Sequence, residues 1–156
     1  MAALLARNIS NVAILMSHWA IRLIGKQYVA RGRGPDTFDC WGLCAFVWKT
    51  HFGVEDLPDV AIDPTKPSAV RKRFAKAVED GDGHQIAAPF EGCAVLMSRS
   101  MLPDHCGIFL AADGGGVLHA LEGAGVVFTK FSALAANGLH ILGFYRPRGM
   151  SWRTST

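Results

Sequence analysis

Cys40, His105 and His119 are the residues whose types and surroundings suggest covalent chemistry. Cys40 follows Asp39, a residue suited to cap a helix. Its thiol therefore falls in a first helical turn, where free N–H groups and the helix dipole favour a thiolate. A free cysteine has a pKa of about 8.5, so a helix start and a nearby imidazolium together would leave it substantially ionised at neutral pH. His105 stands just before the apolar run Cys106 to Ala111, and His119 near the end of the next such run. If the two runs pair across the glycine-rich stretch between them, the imidazoles become neighbours. One would act as base toward Cys40 and the other would orient it, the general logic of a catalytic triad. Plainer roles stay open on spacing alone, because a cysteine on an apolar helix is commonly inert and a histidine beside a strand is commonly just hydrogen bonded.

The elements that must position these residues follow from periodicity and punctuation. Asp39 precedes a run with helical spacing (Cys40, Leu43, Cys44, Val47, Trp48, His51), which Gly53 would end as a left-handed residue. Leu57 to Lys66 reads as an irregular connection, and a second helix spans Ser68 to Glu79, entered through Pro67 and closed by Gly81-Asp82-Gly83. From Glu91 onward come short strand-like runs: Cys93 to Met97, Cys106 to Ala111, Val117 to Ala120, Val126 to Thr129 and Leu139 to Tyr145. Asp113 to Gly116 is a natural hairpin turn between the second and third of them. Helices first and strands after imply an α+β fold with an antiparallel sheet of about five strands, not a wound α/β sheet.

The chain has 156 residues, half of them hydrophobic and 19% charged. That suits one globular domain spanning 1–156 and excludes a disordered tail. The net charge of +3 is too small to argue for a nucleic-acid binder. Four cysteines are too few for a disulfide scaffold, which leaves free thiols, metal ligands or a nucleophile. A zinc site built from Cys40, Cys44, His105 and Cys106 is the competing reading, but Cys-x3-Cys within a helix and an adjacent His-Cys pair are poor zinc spacing. Cys44, Cys93 and Cys106 are assigned to core packing. The first 25 residues read as an amphipathic helix running to about Gly25. Arg7, Asn8, Asn11, His18 and Arg22 interrupt every window long enough to span a membrane, and no secretory signal pattern appears. The expectation is synthesis in the cytoplasm, with reduced thiols.

Two stretches, Tyr28-Val29-Ala30-Arg31-Gly32 and Gly34-Pro35-Asp36-Thr37-Phe38-Asp39-Cys40-Trp41-Gly42-Leu43, resemble the nucleophile segment of the NlpC family of papain-like cysteine peptidases, which cut peptidoglycan stem peptides. Phe52-Gly53-Val54 with Leu57-Pro58 resembles the branch found with phage tail assembly proteins. Asp104-His105-Cys106-Gly107-Ile108-Phe109 and Val117-Leu118-His119-Ala120 follow in the family's order, and Gly125-Val126 and Phe144-Tyr145-Arg146-Pro147 close the likeness. The resemblance implies Cys40 as nucleophile, His105 as general base and His119 as its orienting residue. It also implies Tyr28, Asp39 and Trp41 around the site, with the Tyr28 hydroxyl joining the Cys40 N–H at an oxyanion. Two positions depart from the pattern. Trp41 stands where wall-remodelling members commonly have serine, which changes the pocket wall, and Gly92-Cys93 stands where Gly-Asp is frequent.

The implied activity is hydrolysis of the γ-D-glutamyl-diamino acid amide of a stem peptide, with no metal or organic cofactor. The implied setting is a virion tail tip, where partners would be peptidoglycan and tail-tip or hub proteins, without nucleic acid or a membrane span. The alternative from another class is a structural tail subunit that keeps the peptidase fold for assembly contacts. Such contacts would run through Trp41, Trp48 and Trp152, or through the basic set Arg71, Lys72, Arg73 and Lys76.

Overall fold

The computed structural model describes residues 18–57, 66–81, 83–100 and 102–150. Most of the expected N-terminal helix, much of the 57–66 connection and Trp152 lie outside these. Within the described part, Trp19–Arg22 is a 3-10 turn, not α-helix. His18 holds this turn to the rest of the fold: its Nδ1 accepts from Ala20 N, and its Nε2 lies 2.8 Å from Glu91 Oε1.

Two short strands, β1 (Gln27–Tyr28) and β2 (Thr37–Phe38), pair in parallel and lead directly into helix α1 (Cys40–Phe52). α1 starts and stops where the sequence predicts. Asp39 accepts from Gly42 N at 2.6 Å, and Gly53 closes the helix at φ 65°. Helix α2 (Pro67–Glu79) follows, with Lys72 and Lys76 exposed. Then come β3 (Gly83–Ile86), β4 (Ala94–Ser98), β5 (His105–Leu110), β6 (Gly116–Leu121) and β7 (Gly125–Lys130), the short helix α3 (Phe131–Leu134), and β8 (His140–Pro147).

Strands β3 to β8 form one antiparallel sheet in the order β3-β8-β4-β5-β6-β7. The α+β class and antiparallel sheet agree with expectation, but the strand count is larger by β1, β2 and β3. All three are too short, and too poor in alternating apolar residues, to signal themselves. β5 and β6 do pair across the 112–115 turn, where Asp113 takes φ 53° and Gly115 φ 98°.

The sheet buries both faces. Leu43, Cys44, Val47 and Trp48 of α1 pack against Cys106, Ile108 and Leu110 of β5 and Leu118 and Ala120 of β6. On the opposite face, Val95, Met97, Phe109 and Val117 pack with Leu134 and Leu139. Alternation along β4, β5 and β6 supplies both sets, and each fully buried aliphatic side chain is worth about 1.5–3 kcal/mol. Among the described residues no helix is long and apolar enough to cross a membrane.

Candidate active site

The turn before α1 is built for close approach. Gly42 packs so tightly on the Gly32 carbonyl that any Cβ there would run into it. Gly32 in turn lies against the Phe38 backbone, and Asp39 N donates to Gly32 O at 3.2 Å. Asp39 is 3% exposed, and its carboxylate is fully employed. One oxygen caps α1 through Gly42, while the other accepts from Arg31 N at 3.0 Å and Arg33 Nη1 at 2.9 Å. This carboxylate fixes both the loop and the helix start, and so fixes Cys40. Tyr28 pairs with Phe38 across the β1–β2 ladder, two residues from the nucleophile position.

The three residues singled out for chemistry come together. The Cys40 thiol faces His105, a contact that favours the thiolate. His105 Nε2 lies 2.8 Å from His119 Nδ1, and His119 Nε2 lies 2.8 Å from Thr129 Oγ1. His105, His119 and Thr129 are all buried. Burial, seconded by the Arg99 charge, pushes His119 down to about 4, so it is neutral at physiological pH. If its Nε2–H donates to Thr129, its Nδ1 accepts from His105 Nε2–H, and the remaining His105 nitrogen, Nδ1, stays free to accept a proton. The reverse orientation of the chain would put a proton on that nitrogen.

Two features depart from expectation. The expectation was a Cys40 ionised by its helix start together with a nearby imidazolium, yet its thiol is held well above the free-thiol range. The hydrogen bond with Cys106 is the largest cause and burial the next, and together they outweigh His105. Cys106 belongs to the core as expected, but it is also a direct neighbour of Cys40, and Cys44 Sγ donates to Cys106 Sγ at 3.8 Å. The His-Cys pair at 105–106 signalled only a weak zinc site, and spacing gave no hint of this sulfur contact. Thr129 also went unmarked. Its partnership with His119 depends on the β6–β7 register, which pairs Val117 with Thr129 and His119 with Val127.

Trp41 and Trp48 meet edge to face at 5.7 Å, and the Trp48 indole donates to Gly92 O at 2.9 Å. Both line a cavity of about 480 Å³ with Leu57, Leu96, Cys106 and Tyr145 as further walls. Gly92, at φ 91°, sits under the Phe52 ring, where a Cβ would collide. All four cysteines are buried and free, and no group of three or more His, Cys, Asp or Glu is arranged to hold a metal ion among the described residues.

A thiol at a helix start, facing an imidazole carried by an antiparallel sheet, defines a class: α+β proteins equipped for acyl transfer to sulfur. The chain belongs to the NlpC/P60 family, whose profile matches residues 25–137, a family made up generally of cysteine peptidases and peptidoglycan hydrolases. A search of curated proteins finds no match.

Proposed function

We propose that the protein is a cysteine peptidase that hydrolyses the γ-D-glutamyl-diamino acid amide of peptidoglycan stem peptides, with Cys40, His105 and His119 as its triad. The observation that carries this reading is the continuous chain of contacts from Cys40 through His105 and His119 to Thr129. Because the resting thiol is protonated, His105 acts as a general base during attack and not as the partner of a preformed thiolate. Cys40 Sγ attacks the amide carbonyl as its proton passes to His105. The carbonyl oxygen gains negative charge near the Cys40 N–H and the Tyr28 hydroxyl. His105 then gives the proton to the leaving amine, the C–N bond breaks, and a thioester remains. Water, deprotonated by the same ring, releases the acid and restores the thiol. Trp41, in the cavity wall, meets the substrate beside the nucleophile.

The proposed setting is a phage tail tip reached after synthesis in the host cytoplasm, with the chain acting as one domain among tail-tip or hub proteins. The supporting feature is the likeness of Phe52-Gly53-Val54 with Leu57-Pro58 to the tail-associated branch. The test is release of muropeptides from a panel of peptidoglycan types by the protein and by Cys40→Ala. Products formed only by the unaltered protein are expected; equal release by both ends the reading. A structural tail subunit is the second reading, favoured by the buried, protonated state of Cys40. It predicts no release from any wall type, and tail assembly that survives Cys40→Ala.

A further inference from the structure

The loop that enters α1 holds one residue in a conformation its type disfavours. Arg31 takes φ 65°, in the left-handed region that glycine enters freely and a larger residue only against steric resistance. It is the third residue of a turn closed by Gly32 N donating to Val29 O at 2.8 Å, and a positive φ at that place is what glycine ordinarily supplies. The fold keeps it there. Arg31 N donates to the Asp39 carboxylate at 3.0 Å, and the same carboxylate caps the helix that begins at Cys40. Val29 N donates to Phe38 O at 3.0 Å, so the whole turn is fastened to the segment just ahead of the nucleophile. Residues 26–33 include three cations. Lys26 pairs with Asp36 and Arg33 with Asp39, each at 2.9 Å. Arg31 is exposed and forms no ion pair among the described residues.

We propose that Arg31 is a specificity residue whose guanidinium binds the free α-carboxylate of the D-glutamyl residue on the acyl side of the scissile amide. The proposal rests on the stem-peptide reading above and names how that site tells one wall chemistry from another. In a γ-linked glutamyl residue the carbonyl carbon attacked by Cys40 and the α-carboxylate belong to the same residue, separated only by its methylene groups and α-carbon. A group that binds the carboxylate must therefore reach within one residue's length of the thiol. Arg31 is placed for this, because Asp39 ties its backbone to the residue that immediately precedes Cys40. A guanidinium offers a carboxylate parallel N–H donors as well as charge, a pairing stronger than any neutral hydrogen bond. When the D-glutamyl residue is amidated, the anion is gone and one acceptor oxygen is replaced by a donor that faces donors. The left-handed φ then has a functional reason: a cation is kept at a turn position where glycine would fit better.

The experiment compares a pair of synthetic muropeptides, identical except that the D-glutamyl residue carries an α-carboxylate in one and an α-amide in the other. With the unaltered protein, kcat/KM is expected to favour the carboxylate about tenfold to a hundredfold, the range for a hydrogen bond to a charged group. In Arg31→Gly the ratio should fall toward one, while Arg31→Lys, which keeps the charge but not the fork, should retain part of it. The urea midpoint of Arg31→Gly should be no lower than that of the unaltered protein, since glycine relieves the turn. If circular dichroism shows Arg31→Gly to be misfolded, Arg31→Asn, which also tolerates this φ, replaces it. A lower midpoint with equal losses on both peptides gives Arg31 a structural role and overturns the proposal. A ratio that Arg31→Gly leaves unchanged, or an unaltered protein without preference, overturns it too, while continued muropeptide release leaves the peptidase reading standing. Calorimetric binding of the same peptides to Cys40→Ala reads the preference without hydrolysis. Carboxylate-selective binding that disappears when Arg31→Gly is added supports the proposal even if the unaltered protein cleaves neither peptide, and binding without selectivity, or none at all, overturns it.

Discussion

His119 is the residue on which the electrostatics of the site turn. Between about pH 4 and pH 6.5 its neutral state is a property of the folded protein alone, since in the unfolded chain it titrates near 6.5 and in the fold near 4. Between those values the unfolded chain binds a proton that the folded one refuses. Stability is therefore complete above about pH 6.5 and falls as the pH drops toward about 4, by about 3 kcal/mol in all. Urea denaturation at pH 7.5 and pH 4.5 measures this loss, and His119→Gln should remove much of the slope. Thr129→Val tests the far end of the chain of contacts. It keeps the side-chain shape but leaves His119 Nε2 without its partner, a buried vacancy worth about 1–3 kcal/mol. By the same rule kcat for muropeptide release should fall about tenfold to a hundredfold as the imidazole pair loses the hydroxyl that holds its far end. An unchanged kcat would remove Thr129 from the mechanism. The order of Cys40, His105 and His119 was legible because each sits in a short local motif. Thr129 and Cys106 were not, because their partners come from strand register and from packing of β5 on α1, neither of which a linear pattern encodes. The raised Cys40 thiol was hidden for the same reason: a helix start is visible in sequence, but burial is not.

Among the elements, the loop that enters α1 carries the greatest responsibility. Asp39→Ala removes the cap, worth about 0.5–2 kcal/mol, and also deprives Arg33 of its carboxylate. Asp39→Asn keeps a capping oxygen and should cost less. Urea midpoints of the two variants check the ranking, and equal midpoints would show that the capping oxygen contributes little beside the Arg33 pair. α1 was readable to within a residue at both ends because its stop signals are local: an N-cap side chain and a left-handed glycine. β1, β2 and β3 were missed for the opposite reason. They are runs of two to four residues, and Gly83-His84-Gln85-Ile86 shows no alternation; they become strands only because a neighbour supplies the ladder.

At the scale of the whole molecule, the cavity between α1 and the sheet is the proposed seat of substrate preference. Trp41→Ala opens its wall and removes the edge-to-face partner of Trp48, a loss of about 0.5–1.5 kcal/mol in stability. For muropeptide release, KM should rise with little change in kcat, because Trp41 lines the cavity and the proposed proton transfers run through His105 and His119. A fall in kcat at constant KM would place Trp41 in the chemistry instead. The position of β8 has a different kind of consequence. It follows every other strand in the chain, yet it lies between β3 and β4 and hydrogen bonds to both. A nascent chain leaving the ribosome therefore carries β3 and β4 with bare edges facing each other until residues 140–147 emerge. The sheet closes late in synthesis, through contacts between distant parts of the chain, and such topologies fold slowly and expose strand edges while they wait. During that interval, chaperones that cover unpaired strands would decide how much of the protein reaches its folded state.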